Sequence, residues 1–108
     1  MITLLARFEM LEGKEIEVIE AIRKMATAVK ANEPGCLAYT ALRGKVNGSE
    51  LYFFEIYENE KAFQDHAQTD HMREMRATMN GCIDNSTFNI EMLDQVGGFI
   101  RHEMDHSA

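Results

Sequence analysis

The chain predicts an α+β fold: a split βαβ sandwich in which two helices cover one face of a four-stranded antiparallel sheet. Three observations carry that expectation. Apolar residues alternate with a period of two in the first and last segments, strand-like stretches stand at 36–43 and 51–57, and helical spacing fills the stretches between, so the elements run strand, helix, strand, strand, helix, strand. An Asn-Gly dipeptide, Asn47-Gly48, stands between the second and third strands and marks them as antiparallel neighbours. The third strand is apolar on both faces apart from one glutamate, which places it inside the sheet with a cover on each side.

The first strand spans Ile2 to Met10, with Ile2, Leu4, Ala6, Phe8 and Met10 on one face and Thr3, Arg7 and Glu9 on the other. Lys14 to Asn32 then switches to helical spacing. Ile16, Ile19, Ile22, Ala26 and Val29 form a stripe, and Glu17, Glu20, Lys24 and Lys30 turn outward. Glu33, Pro34 and Gly35 end the helix: proline disfavours helical geometry in the residue before it, and glycine tolerates the reversal. Cys36 to Arg43 is the second strand, and Leu51 to Tyr57 the third. Asn47-Gly48 is the dipeptide best suited to positive backbone dihedrals in a hairpin.

Asn59 is placed to cap a helix running through Ala62, Phe63 and His66, and Thr69 or Asp70 to cap a further segment carrying Met72, Met75, Arg76 and Met79. One interrupted helix is expected. The last strand is expected over Thr87 to Val96, where Phe88, Ile90 and Met92 alternate with Asn89 and Glu91. The chain therefore reads as one domain over residues 1–96 and a tail over 97–108. Because the third strand is apolar on both sides, the uncovered sheet face is expected to meet the same face of another copy, two sheets closing into a shared barrel.

At 108 residues one core is all the chain can build, and oligomerisation adds useful burial at that size. Eleven basic residues scattered among eighteen acidic ones leave a net charge of −7, which argues against a nucleic-acid or anionic-membrane partner. No window reaches the roughly eighteen apolar residues of a membrane span, and Arg7 and Glu9 interrupt the amino-terminal segment too early for a signal peptide. Cys36 and Cys82 lack a C-x-x-C spacing and read as small buried apolar residues. A cytoplasmic location is expected. Without a glycine-rich phosphate loop or a dinucleotide fingerprint, no nucleotide or flavin cofactor is indicated.

The residues that could do chemistry lie between Phe53 and Arg76. His66 and His71 are five positions apart, about 140° of rotation on a continuous helix, so they share a face only if the helix breaks at Thr69. With the break, His71 sits at the start of a new segment, where the helix dipole favours the neutral imidazole able to accept a proton. His66 then points between helix and sheet. The pair would flank a pocket, one as base and one as hydrogen-bond donor; the competing reading is a satisfied core histidine and a solvent-facing helix starter. Neither the spacing of H-E-x-x-H nor a nearby cysteine accompanies them, so no metal site is expected. His102 and His106 have i, i+4 spacing in the tail, where adventitious metal binding is the most they suggest.

Glu55 interrupts the most apolar strand, and a buried carboxylate needs a partner or a proton. Arg7 or Arg43 would supply an ion pair; a pocket carboxylate held neutral is the functional alternative. Tyr39, Tyr52 and Tyr57 read as core or interface residues, with a phenol on a pocket wall able to orient an oxygen-bearing substrate. Met72, Met75 and Met79, among eight methionines, suit a pliable apolar wall or simple core packing.

The turn EPGC at 33–36, the strand end FFEIYEN at 53–59 and the helix KAFQDHAQTDHM at 61–72 together resemble the antibiotic biosynthesis monooxygenase family, over residues 2 to about 96. The resemblance implies a ferredoxin-like (βαββαβ) fold pairing into a dimeric α+β barrel, a homodimer, a small-molecule substrate and no cofactor. Its members include cofactor-independent oxygenases of quinols and polyphenols, haem-degrading enzymes, and isomerases of phosphorylated signalling sugars. Fold alone does not choose among them. The haem-degrading branch relies on a pocket tryptophan and this chain has none, Tyr57 standing near that position. The spacing of His66 and His71 also resembles the isomerases, with Asp70 where a proline is common.

The leading expectation is a monooxygenase of a small phenol or quinol, with His66 and His71 as catalytic residues and Arg7, Tyr39, Glu55 and Tyr57 contacting substrate. An isomerase of a hydroxy-ketone or autoinducer-type signal, and a non-catalytic dimeric binding module, are the alternatives.

Overall fold

A computed structural model describes residues 1–101. The elements are β1 (Ile2–Met10), α1 (Glu15–Asn32), β2 (Cys36–Arg43), β3 (Glu50–Tyr57), α2 (Glu60–Ala67), α3 (Asp70–Met79) and β4 (Ile83–Leu93). The strands form one antiparallel sheet in the order β2-β3-β1-β4. This is the ferredoxin-like arrangement, and it puts β3 and β1, the two strands richest in large apolar residues, at the centre. The tail histidines His102 and His106 lie outside the described residues.

Register sorts the side chains between two faces. Leu4 opposes Glu55, Ala6 opposes Phe53 and Phe8 opposes Leu51, so these residues share the face under the helices. With Met10, Tyr57, Val18, Ile22 and Met79 they make the core, in which Tyr57 and Val18 are wholly inaccessible. Phe8 stacks between Phe53 and Phe88, with ring centroids 5.7 and 6.3 Å away. Thr3, Leu5, Arg7 and Glu9 of β1 face the other way with Tyr52, Phe54 and Ile56 of β3. Among the described residues no helix covers that second face.

Three sequence expectations are corrected. The buried stripe of α1 is Val18, Ile22, Met25 and Val29, whereas Ile16 is 72% exposed. The two stripes share Ile22 and Val29, and Ile16 lies about 200° around the axis from Val18, on the side away from the sheet. β4 begins at Ile83 and ends at Leu93 because turn-forming residues lie within it rather than before it. Asp84 Oδ1 accepts hydrogen bonds from the Ser86 amide and hydroxyl, and Thr87 Oγ1 donates to Asp84 O and accepts from the Glu9 amide, building the irregularity at which the β1–β4 register shifts. Asn47 and Gly48 do not adopt positive φ. The connection from Gly44 to Ser49 is longer than a two-residue hairpin, and the Asn47 side chain closes it by accepting from the Ser49 amide at 3.1 Å.

The helix break is where the sequence places it. Asn59 Oδ1 caps α2 by accepting from the Ala62 amide at 2.9 Å. Thr69 Oγ1 caps α3 by accepting from the Met72 amide at 3.2 Å while donating to the His66 carbonyl at 2.9 Å. One side chain thereby ends α2 and begins α3. Among the described residues no helix is long and apolar enough to cross a membrane.

Candidate functional site

Three elements converge at the C-terminal end of α1. Glu33 caps that helix, its amide donating to the Val29 carbonyl at 2.9 Å, and the chain then turns through Pro34 and Gly35. The Gly35 carbonyl accepts from the Glu58 amide at 2.8 Å, and a Cβ on Gly35 would lie 2.8 Å from the Cβ of Ala62. Only glycine lets the turn approach α2 this closely. The approach carries the Glu33 side chain to the junction of α2 and α3.

There Glu33 meets both histidines. Its Oε1 and Oε2 lie 2.9 and 3.1 Å from Nδ1 of His66, and its Oε2 lies 2.5 Å from Nε2 of His71. A carboxylate only accepts, so the hydrogens sit on Nδ1 of His66 and Nε2 of His71, leaving Nε2 of His66 and Nδ1 of His71 as proton acceptors. His66, in the last turn of α2, is 4% exposed, its ring centroid 5.2 Å from Tyr57 and 5.7 Å from Tyr39. His71, in the first turn of α3, is more open.

Beneath them, Nε2 of His66 faces Oε1 of Glu55 at 3.9 Å, beyond hydrogen-bond reach. The same Oε1 accepts from the Tyr57 hydroxyl at 2.5 Å. Burial pushes the Glu55 carboxyl above its ordinary value, against the lowering effects of the Tyr57 hydrogen bond and His66. Burial also raises Tyr57 and Tyr39, with the Glu55 charge adding to both, so both phenols keep their protons. Cys36, pushed up to about 12 chiefly by burial, is a thiol and not a nucleophile.

Of the residues singled out in the sequence, His66, His71, Tyr39, Glu55 and Tyr57 come together; Arg7 does not. It lies on the opposite sheet face, where Nη2 is 2.6 Å from Glu50 Oε2 and the Tyr52 hydroxyl donates to the same oxygen at 2.7 Å. Arg43 donates to the Gly48 carbonyl at 2.7 Å. The expected arginine partner for Glu55 is therefore replaced by Tyr57 and His66, because alternation along the strands puts Arg7 and Glu55 on different faces. Glu33 was legible only as helix punctuation. Its one signal is an acidic residue at the negative end of a helix, where the dipole disfavours it unless something else holds it.

A groove of about 80 Å³ between α1 and α3 is lined by Ala21, Met25, Ala28, His71 and Met75, with Lys24 and Glu74 pairing across it at 3.3 Å. A larger hollow of about 390 Å³ is lined among the described residues by Met1, Thr3, Leu93, Asp94, Gln95 and Gly97, none of them a histidine. Chemistry, not size, makes the smaller one the site. Among the described residues no three His, Cys, Asp or Glu side chains are arranged to hold a metal ion.

Residues 1–78 match the family model for antibiotic biosynthesis monooxygenases. The chain belongs to this family. A solved structure from Caulobacter crescentus CB15, assigned as an antibiotic biosynthesis monooxygenase, is 31% identical over 89% of this chain and 90% of its own, with a TM-score of 0.82. A structure from Lactobacillus acidophilus NCFM, assigned as a monooxygenase, matches at 25% identity and a TM-score of 0.82 over 86% of this chain, which spans only 43% of that longer protein. A Mycobacterium tuberculosis protein at 22% identity, covering 90% of this chain and 96% of its own with a TM-score of 0.79, shows the shared fold. No functionally curated protein shows a significant match. Membership of the family supports monooxygenase activity at the family level, and the antibiotic biosynthesis monooxygenase fold accounts for how Glu33, His66 and His71 come to share one site.

Proposed function

We propose that this antibiotic biosynthesis monooxygenase is a cofactor-independent oxygenase of a small phenol or quinol, working as a homodimer in the cytoplasm. The observation that carries the reading is Glu33 holding His66 by Nδ1, which leaves Nε2 of a buried imidazole as a base aimed at Glu55. His66 takes the substrate hydroxyl proton, and the electron-rich anion reduces dioxygen. One oxygen atom ends on substrate carbon and the other leaves as water, with the substrate supplying all four electrons. Glu55 and the Tyr57 and Tyr39 phenols orient the substrate oxygens.

The isomerase alternative for a phosphorylated signal needs a free cation at the site. Arg73 binds Asp70 and the Gln68 carbonyl, Arg76 binds the Ala67 carbonyl, and Arg7 and Arg43 are engaged elsewhere. This favours an uncharged aromatic substrate. The tight α1–α3 groove is the observation on the side of a non-catalytic module, since ligand pockets usually reach about 300 Å³.

The test is oxygen uptake with a panel of quinols. Turnover should consume one dioxygen per product, fall at least about 100-fold in His66→Ala, and be lost in the His66→Ala/His71→Ala double variant. Product formed without oxygen uptake would establish the isomerase, and undiminished turnover in the double variant would sink both enzymatic readings.

A further inference from the structure

The helices leave one strip of the sheet's own helix side bare. α1 and α3 pack on each other, α1 on β2 and α2 on β3, while β4 packs chiefly on β1. Ile90 and Met92 of β4 oppose Ala6 and Leu4, and the Phe88 ring stacks on Phe8, so all three side chains point to the helix side of the sheet. Phe88, Ile90 and Met92 are nonetheless 50, 47 and 56% exposed. β4 is an edge strand, so the strip is reached by passing one free edge. Stacking on Phe8, itself stacked on Phe53, holds Phe88 in place before any partner arrives.

The same chain carries a second apolar segment that has no cover among the described residues. Beyond Leu93 the chain leaves the sheet, and there Val96 is fully exposed and Phe99 and Ile100 more than half exposed. The Arg101 guanidinium lies 4.9 Å from the centre of the Phe99 ring. No Lys or Arg stands between Arg76 and Arg101, whereas β4 carries Asp84 and Glu91 and Asp94 follows it, so the basic end of the segment suits an acidic strand.

Turning back does not bring the segment onto its own strip. Gly98 has a φ of +96°, and a tight turn at Gly97-Gly98 sets Phe99 opposite Val96 and Ile100 opposite Gln95, both beyond Leu93 and short of Met92. Fully extended, the stretch from Asp94 to Ile100 spans about 23 Å. Two facing sheets lie roughly 10 Å apart, which leaves enough chain to cross that gap and round one edge strand.

We infer that this segment is an arm that docks on a second copy of the chain, residues 94–101 of each protomer lying over Phe88, Ile90 and Met92 of the other. Every copy has one arm and one strip, so a two-fold axis satisfies both at once. The arm adds to the expected contact between open sheet faces and does not replace it. Because the strip lies on β4, away from the histidines, the exchange does not depend on the oxygenase reading.

The experiment is an isotope-filtered NOE measurement on the wild-type full-length protein, with ¹³C-labelled and unlabelled chains mixed and left to exchange. Methyl protons of Ile90 and Met92 in the labelled copy should show contacts to the ring protons of Phe99, or to the methyl protons of Val96 and Ile100, in the unlabelled one. Sedimentation of Phe99→Ser/Ile100→Ser should show a dimer weakened at least about 10-fold, with unchanged circular dichroism. A monomeric wild-type protein overturns the inference together with the expected homodimer. A dimer whose strip meets the segment only within its own chain, or not at all, overturns the arm alone, as does a Phe99→Ser/Ile100→Ser dimer of parental strength. A protein that exchanges arms but turns over no quinol would fail the oxygenase reading and leave the arm standing.

Discussion

Glu33 and His66 lie 33 positions apart in the chain and meet at 2.9 Å, Oε1 against Nδ1, at the point where α1 ends and α2 gives way to α3. This contact ties the first helix to the second helical segment through buried polar groups, so the same side chain that prepares the base also fastens the fold.

Glu33→Ala removes the acceptor for two ring N–H groups at once, one of them almost wholly buried. Leaving buried donors unpaired costs about 1–3 kcal/mol each, less where water can enter. A loss of about 3 kcal/mol in urea unfolding is expected, with turnover reduced more than folding accounts for. Glu33→Gln keeps an acceptor and should lose clearly less stability.

Glu55 gives stability a definite pH dependence. Burial raises its folded-state value above the ordinary 4.5, so folding takes up a proton and stability falls as pH rises from about 4.5 through the raised value, then levels off. Glu55→Gln keeps an acceptor for the Tyr57 hydroxyl and removes the ionisation. Its stability, followed by denaturant titration, should match the parent below pH 4.5, exceed it at neutral pH, and vary less between.

Thr69 serves both helical segments through one hydroxyl. Thr69→Ala should cost about 1 kcal/mol in unfolding free energy, and it should lower turnover further by loosening the angle that brings His66 and His71 to the same carboxylate. Thr69→Ser should restore both quantities. A turnover unchanged in Thr69→Ala would show that the break needs no cap to hold the pair.

The open sheet face carries Leu5, Phe54 and Leu42, with Leu42 on the edge strand β2 and 53% exposed. Leu42→Asp places a charge in the expected dimer interface at little cost to the monomer. Sedimentation should report a dimer for the parent and a monomer for the variant, with unchanged circular dichroism. A variant that remains dimeric would place the contact elsewhere, the exposed Phe88, Ile90 and Met92 of β4 being the next surface to test.

The strands and helices of this protein were legible because local periodicity reports local structure. β1 and β2 have the bounds read from the sequence, and the break at Thr69 followed from helix geometry and capping chemistry alone. Where two local signals competed, the wrong one could be read: the apolar residues of α1 support two overlapping stripes, and the Asp84–Ser86 turn chemistry sits inside β4 and not ahead of it. The histidines and Glu55 stood out because each departs from its surroundings.

By itself, then, the sequence determined the fold class, the order of the elements and most of the composition of the site, since these are signalled by residue types and their local spacing. Which partner Glu55 takes, which face Arg7 occupies, and that Glu33 joins two histidines were decided only by tertiary structure. The reason is physical: a carboxylate at a helix end has many nearby ways to be satisfied, and only the close packing of Gly35 on Ala62 brings Glu33 to the junction where the two imidazoles are waiting.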